Sequence, residues 1–259
     1  MLGSLLQAVR QTHPLIHCIT NYVTINDCAN ILLAAGASPI MADAPEEAAA
    51  VTARSQGLTL NLGTLHAERI PAMLASGRQA NASGIPAVLD PVGAGVSAFR
   101  AGAARQLLEA VQFAVIRGNL SEIRALADAG SHACGVDAGD SLTPQTLDAC
   151  LELAGQLARR TGAVVAVTGE TDLVTDGETA YCIHNGHPMM RSVTGTGCQL
   201  SCLTAAFVAA SPGQPLQAAA AAVCAMGLCG ETAYARLSPA DGNAAYRDKI
   251  LDAVYRLTP

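Results

Sequence analysis

Short runs of apolar and β-branched residues alternate along this chain with longer stretches whose apolar positions recur at helical spacing. Residues 15–20, 38–41, 58–62, 87–90, 113–117 and 163–168 read as strands. Between them, 25–35, 46–54, 67–82, 98–110, 121–129 and 144–160 carry the helical pattern. This alternation predicts an α/β fold, a mainly parallel central sheet flanked by helices. After Thr168 the texture changes: 172–175, an Asp176-Gly177 turn and 179–184 read as a hairpin at the sheet's edge. Helices then follow at 198–210, 215–237 and 244–256, and the first thirteen residues set Leu5, Leu6 and Val9 on one helical face.

With 259 residues the chain has room for one large α/β domain or two small ones. No Pro/Ser-rich linker and no repeat divides it, so a single domain over 1–259 is the simpler organisation. Hydrophobic residues make up 51% but aromatics only 3%, which leaves packing to Ala, Leu and Val and argues against stacked aromatic platforms as a binding device. A net charge of −6 without any Lys/Arg cluster argues against nucleic acid as a partner. The N-terminus lacks the basic start and continuous apolar run of a signal peptide, so a cytoplasmic protein is expected. The apolar stretches 200–210 and 216–230 fall short of the roughly 20 residues that cross a bilayer, and no membrane partner is expected. The nine cysteines are scattered and mostly embedded in apolar sequence, the pattern of buried free thiols. Cys198 and Cys202 share a helical face, but with no CxxC or paired histidine nearby they are not read as a metal site.

Ligands of open α/β sheets gather at the carboxyl ends of strands, which gives weight to the residues just after each one. In Val193-Thr194-Gly195-Thr196-Gly197-Cys198, two glycines precede an apolar helix. The unpaired amides and positive end of such a helix attract anions, although a glycine turn that merely starts a helix has the same sequence. Asp90, closing a strand ahead of Pro91-Val92-Gly93-Ala94-Gly95, suits a divalent cation or an Asx turn equally well. Asn119 and Glu122 have the spacing of a helix capping box. Arg117 ends an apolar strand and needs an anion for its fork, which a nucleotide phosphate would satisfy. Thr168-Gly169 fits a tight hairpin turn or a close approach of a nucleotide to the backbone. His184 and His187 read as solvated loop residues, and Glu231, Arg236, Asp241 and Arg247 as solvated helix residues.

Taken in order, these pieces resemble the hydroxyethylthiazole kinases of thiamin salvage, within the ribokinase-like superfamily. The resemblance begins at His17-Cys18-Ile19-Thr20-Asn21-Tyr22-Val23, with Asn26, Ala29 and Asn30 following. It continues through Ser38-Pro39-Ile40-Met41-Ala42, Leu60-Asn61-Leu62-Gly63-Thr64, the Asp90–Gly95 loop, Arg117-Gly118-Asn119, Glu122, Val167-Thr168-Gly169 and Gly195-Thr196-Gly197-Cys198. It spans residues 15 to about 210 and is specific through order and number rather than through any one motif.

The resemblance implies a magnesium- and ATP-dependent kinase acting on the primary alcohol of 4-methyl-5-(2-hydroxyethyl)thiazole. It assigns Arg117, Thr168 and Asn119 to ATP, and Asp90 and Glu122 to magnesium and its water shell. Met41 and Gly195 border the thiazole with Asn21 and Val23 nearby, and Gly195, Gly197 and Cys198 form the catalytic turn. It also implies a homotrimer with thiazole pockets between subunits. One departure stands out: the wider superfamily ends the glycine turn in aspartate, a base for the alcohol proton, where this chain has Cys198. A free thiol with a pKa near about 8.5 is mostly protonated at neutral pH; the helix end lowers that value and a nearby triphosphate raises it. Sequence does not rank the two effects, and phosphoryl transfer leans chiefly on positioning and charge neutralisation. The competing readings are a hydroxymethylpyrimidine or pyridoxal-type kinase, which would want aromatic partners for a ring, and a same-fold lyase of a hydrated nicotinamide nucleotide. A non-catalytic nucleotide-binding or thiol-sensing protein is a further alternative.

Overall fold

A computed structural model describes residues 1–128 and 146–258, so the predicted helix bounds at 129 and 144 lie outside the described residues. The strands are β1 (Leu15–Ile19), β2 (Ser38–Ile40), β3 (Gly57–Asn61), β4 (Ala87–Asp90), β5 (Val115–Asn119), β6 (Val164–Thr168), β7 (Asp172–Thr175) and β8 (Ala180–Ile183). They form one eight-stranded sheet in the order β2-β1-β3-β4-β5-β6-β7-β8. From β2 across to β6 every pairing is parallel, while β7 and β8 add the antiparallel hairpin expected at the edge.

Burial on both faces explains why the strands read as near-continuous apolar runs. Successive side chains point to opposite faces. Val164 and Ala166 of β6 therefore join one core, whereas Val165 and Val167 join the other. The first core is covered by α1 (Leu2–Thr12), α2 (Ile25–Ala35), α8 (Thr196–Ala209), α9 (Pro215–Tyr234) and α10 (Asn243–Arg256). The second lies under α4 (Arg69–Ala82), α5 (Ala98–Ala110), α6 (Leu120–Asp128) and α7 (Leu147–Thr161). The predicted helix over 46–54 shrinks to α3 (Ala48–Thr52).

One expectation needs correction. The helix α9 reaches 20 residues, long and apolar enough by composition to cross a membrane. It lies inside the fold instead, 72% of its apolar window buried, with Ala218 to Ala222 packed tightly enough for neighbouring helices to approach closely. As expected, the cysteines among the described residues are all free, and most are buried.

Candidate active site

The helix α8 opens on Gly195, whose left-handed φ of 87° turns the chain into the helix. A β-carbon at this position would come within 2.2 Å of Thr24 Cγ2, so only glycine fits. The first intrahelical bond runs from Gln199 N to Gly195 O at 2.9 Å, which leaves the amides of Thr196, Gly197 and Cys198 ahead of it at the positive end.

Arg117, near the end of β5, lies over this turn. Its Nη2 donates to Thr168 Oγ1 and its Nη1 stands 3.8 Å from Asp90 Oδ1. The sequence demanded an anion for this fork, and within the chain Asp90 supplies it. Arg117, Asn119, Thr168, Thr196 and Gly197 together border a cavity of about 950 Å³, whose inner wall is made apolar by Leu200, Val223 and Met226.

Asp90 is fully buried, and its Oδ2 accepts from Asn61 Nδ2 at 2.7 Å and Ser201 Oγ at 2.8 Å. Its other oxygen, Oδ1, has no hydrogen-bond partner. Burial pushes the carboxyl up to about 6; Arg117 opposes this, Glu122 adds to it, and the bonds from Ser201 and Asn61 pull it down. A carboxylate with one oxygen unmet inside the protein suits a hydrated cation whose water would donate to it. Among the described residues no group of three His, Cys, Asp or Glu forms a ready metal cage.

Asn119 and Glu122 close the capping box that their spacing predicted. Glu122 N donates to Asn119 Oδ1 and Asn119 N donates to Glu122 Oε2, both at 2.9 Å. Glu122 Oε1 accepts from Gly93 N at 3.0 Å, so this carboxylate also pins the loop after β4. Asn119 Oδ1 takes a further bond from Ser121 Oγ, which leaves its Nδ2 as the group available to a ligand in the cavity.

Cys198 lies beneath the turn, where Asn21 Nδ2 and Asn61 Nδ2 both donate to its Sγ, at 3.2 and 3.3 Å. Burial, and next the charge of Asp90, push the thiol up to about 11. These outweigh the donors that favour the thiolate, so the surroundings of Cys198 favour the neutral thiol. Asn21 is correspondingly occupied: its Oδ1 accepts from Val23 N, Thr24 N and Thr24 Oγ1, each at 3.1 Å. The Asn21 side chain is thus buried and engaged within the protein at the foot of the α8 turn.

Met41 and Val23 follow β2 and β1 on the opposite flank of the α8 turn, and neither borders the large cavity. Met41 is half-buried against the first core, while Val23 and Tyr22 are exposed. Arg69 clamps this flank. It donates to Thr20 O, pairs with Asp43 at 3.1 Å and lies 4.9 Å from the centre of the Tyr22 ring.

Of the two histidines read as solvated, His184 is exposed, while His187 packs against the fold. His187 stacks on Tyr234 with ring centres 3.5 Å apart, and Gly186 N donates to Glu231 Oε1 at 3.0 Å. The segment packs as a strap against α9 because Gly227 leaves room for Asn185, which donates to Cys224 O at 2.8 Å. Arg247 is exposed, as read, and pairs at the surface with Asp248 at 3.0 Å, while Asp241 is half-buried beside Lys249 at 3.3 Å.

The sequence alone assigns no role to Asn61, although it stands in one of the motifs that carry the family resemblance, nor to Ser201 or Asp172. Asn61 is the register partner of Asp90 across β3 and β4, and Ser201 follows Cys198 by one helical turn, so both signals were positional. Asp172 borders the cavity, accepts from Gly169 N at 2.9 Å and is raised to about 6 by burial.

A model of the hydroxyethylthiazole kinase family matches residues 6–259. The chain is 51% identical to a hydroxyethylthiazole kinase from Clostridium acetobutylicum, covering 99% of this chain and 95% of that protein. To one from Methanoculleus marisnigri it is 48% identical, over 99% of this chain and 89% of that protein. Among solved structures, a hydroxyethylthiazole kinase protein from Pyrococcus horikoshii superimposes with a TM-score of 0.89 at 36% identity, over 100% of this chain and 94% of that one. An ADP complex of Bacillus subtilis pyridoxal kinase matches with a TM-score of 0.59 at 18% identity, over 88% of this chain and 94% of that one, which is a likeness of fold alone.

Proposed function

The chain belongs to the hydroxyethylthiazole kinase family, and from that premise we propose that it transfers the γ-phosphoryl group of ATP to the primary alcohol of 4-methyl-5-(2-hydroxyethyl)thiazole. The observation that carries the assignment of roles is Arg117, whose guanidinium touches Thr168, faces Asp90 and covers Gly197 at once.

ATP occupies the large cavity in this reading. Leu200, Val223 and Met226 offer an apolar surface to its base, while Arg117, Thr168 and the Nδ2 of Asn119 meet its phosphates. The amides of Thr196, Gly197 and Cys198 hold the migrating phosphoryl group, a fixed set of donors where negative charge concentrates. Asp90, with its unmet oxygen, and Glu122 are the residues that would hold a hydrated magnesium ion, which would supply neutralisation of phosphate charge. Burial and the charge of Asp90 favour the protonated thiol, so in this reading Cys198 is not the base. Transfer proceeds through positioning and charge neutralisation, which a loose transition state permits.

The thiazole sits on the Met41 and Val23 flank, with its hydroxyl at the Gly195 turn. That flank is open and apolar, which supports completion by a second subunit in a homotrimer. One continuous sheet supports a single ribokinase-like domain over 1–259. Unbonded thiols such as Cys18 and Cys202, 3.9 Å apart, support a reducing, cytoplasmic setting.

The test is product formation with the thiazole alcohol, hydroxymethylpyrimidine, pyridoxal and sugar alcohols, with and without magnesium, followed by ADP release and by mass of the product. Magnesium-dependent thiazole phosphate is expected. ADP release with another alcohol but not with the thiazole would overturn the reading.

A further inference from the structure

Two asparagine side chains meet at Cys198 with their orientations fixed. Asn21 Oδ1 must face the backbone N–H groups of Val23 and Thr24, and Asn61 Oδ1 must face Gly63 N at 2.8 Å. Each Nδ2 is thereby directed inward with two hydrogens to place. Asn21 Nδ2 donates one to Asn61 Oδ1 at 3.1 Å and the other to Cys198 Sγ; Asn61 Nδ2 donates one to Asp90 Oδ2 and the other to the same sulfur. The sulfur accepts two bonds, both amides are fully committed, and the Thr24 hydroxyl that also neighbours the sulfur spends its own hydrogen on Asn21 Oδ1.

We propose that Asn21 and Asn61 are positioning residues for phosphoryl transfer, fixing Cys198 so that its S–H donates to the oxygen of the acceptor alcohol. The inference rests on the kinase reading above and gives this flank of the site its task. In the step so arranged, the alcohol oxygen forms the new bond to the γ-phosphorus. The bond from that phosphorus to the β,γ-bridging oxygen breaks, its electron pair leaving on ADP. The alcohol's proton passes to an oxygen of the transferred group, and the Cys198 proton remains on sulfur. The donated S–H holds the alcohol in line while a lone pair of its oxygen attacks. Asn61 also joins this arrangement to Asp90, so the acceptor side and the cation side of the site share one rigid amide.

The decisive variant is Asn21→Asp in the full-length enzyme. It keeps an acceptor oxygen for Val23 and Thr24 but replaces the donor to Cys198 with a competing acceptor, toward which the S–H turns. The expected result is a fall in kcat of about tenfold, the worth of one directed hydrogen bond, with KM for ATP unchanged. In a Cys198→Ala background the same substitution should cause no further loss, because a residue acting through the sulfur has nothing left to act on. Equal losses in both backgrounds, or parental kcat in Asn21→Asp, would overturn the proposal. Should Asn21→Asp fail to fold, Asn61→Ser is read in the same two backgrounds, and its loss must shrink when Cys198 is absent. A readout free of turnover is the Raman S–H band of Cys198, isolated as parent minus Cys198→Ala. It should shift in Asn21→Asp, and an unmoved band counts against the proposal. A parent enzyme that makes no thiazole phosphate would sink the kinase reading instead, while the Raman band still decides the positioning.

Discussion

Arg117 lies across Gly197 so closely that a β-carbon at residue 197 would stand 2.5 Å from its Nη1. The glycine that starts the helix and the arginine that ends the strand are therefore one fitted pair. Gly197→Ala should push the guanidinium off Thr168 and Asp90 and lower kcat/KM for ATP by roughly tenfold to a hundredfold, the loss of one or two charge-assisted bonds. Steady-state kinetics with ATP varied, alongside a melting curve to confirm folding, check this; parental kcat/KM would contradict it.

Gly195 should be less forgiving. An alanine there meets Thr24 Cγ2 at 2.2 Å and must adopt a φ of 87°. The two penalties add to an expected loss of about 3 kcal/mol or more. Urea denaturation of Gly195→Ala beside Gly197→Ala measures the contrast, and equal midpoints would refute it.

Asp90 carries a stability cost with a definite pH signature. Its folded pKa is raised from 3.8 to about 6, so between those values the native state holds a proton that the unfolded chain has released. Stability from this group is present below about 3.8 and is lost as pH climbs through about 6. Asp90→Asn imitates the protonated form and should be more stable than the parent by about 1–3 kcal/mol at pH 7.5, with the gap closing towards pH 4. The same variant should lose most of its kinase activity. Denaturation midpoints at the two pH values check the sign.

Cys198→Ser retains a hydrogen that can be donated but shortens the reach of the side chain. A fall in kcat below tenfold is expected, with affinities for ATP and the thiazole unchanged. Cys198→Asp exchanges the donated S–H for a carboxylate, held by the two asparagine amides, that accepts the alcohol's own proton, and by that different route should keep or raise turnover. Abolition of phosphorylation by Cys198→Ser at full affinity for both substrates would show that the sulfur itself is indispensable.

The fold was legible because both faces of the sheet are buried, which turns each strand into an apolar run and each crossover into an amphipathic helix. Ala87–Asp90 and Asp172–Thr175 carry the bounds that pattern predicted. The capping box of Asn119 and Glu122 was legible for a similar reason, since its spacing is local. What escaped was contact between distant segments. Asn61 becomes the partner of both Asp90 and Cys198 only through strand register and the docking of α8, and nothing in its immediate neighbours announces this. His187 looked solvated because the ring that covers it, Tyr234, is on a later helix. The weight of burial at Cys198 likewise required knowing how deep the sulfur lies.

Glu122 fastens two pieces of chain with one carboxylate, the first turn of α6 through Asn119 N and the loop after β4 through Gly93 N. If Glu122 holds the proposed magnesium, a cation that draws electron density from those oxygens would slacken both fasteners together. Hydrogen exchange at Gly93 and Asn119 would then keep a running record of whether the site is filled.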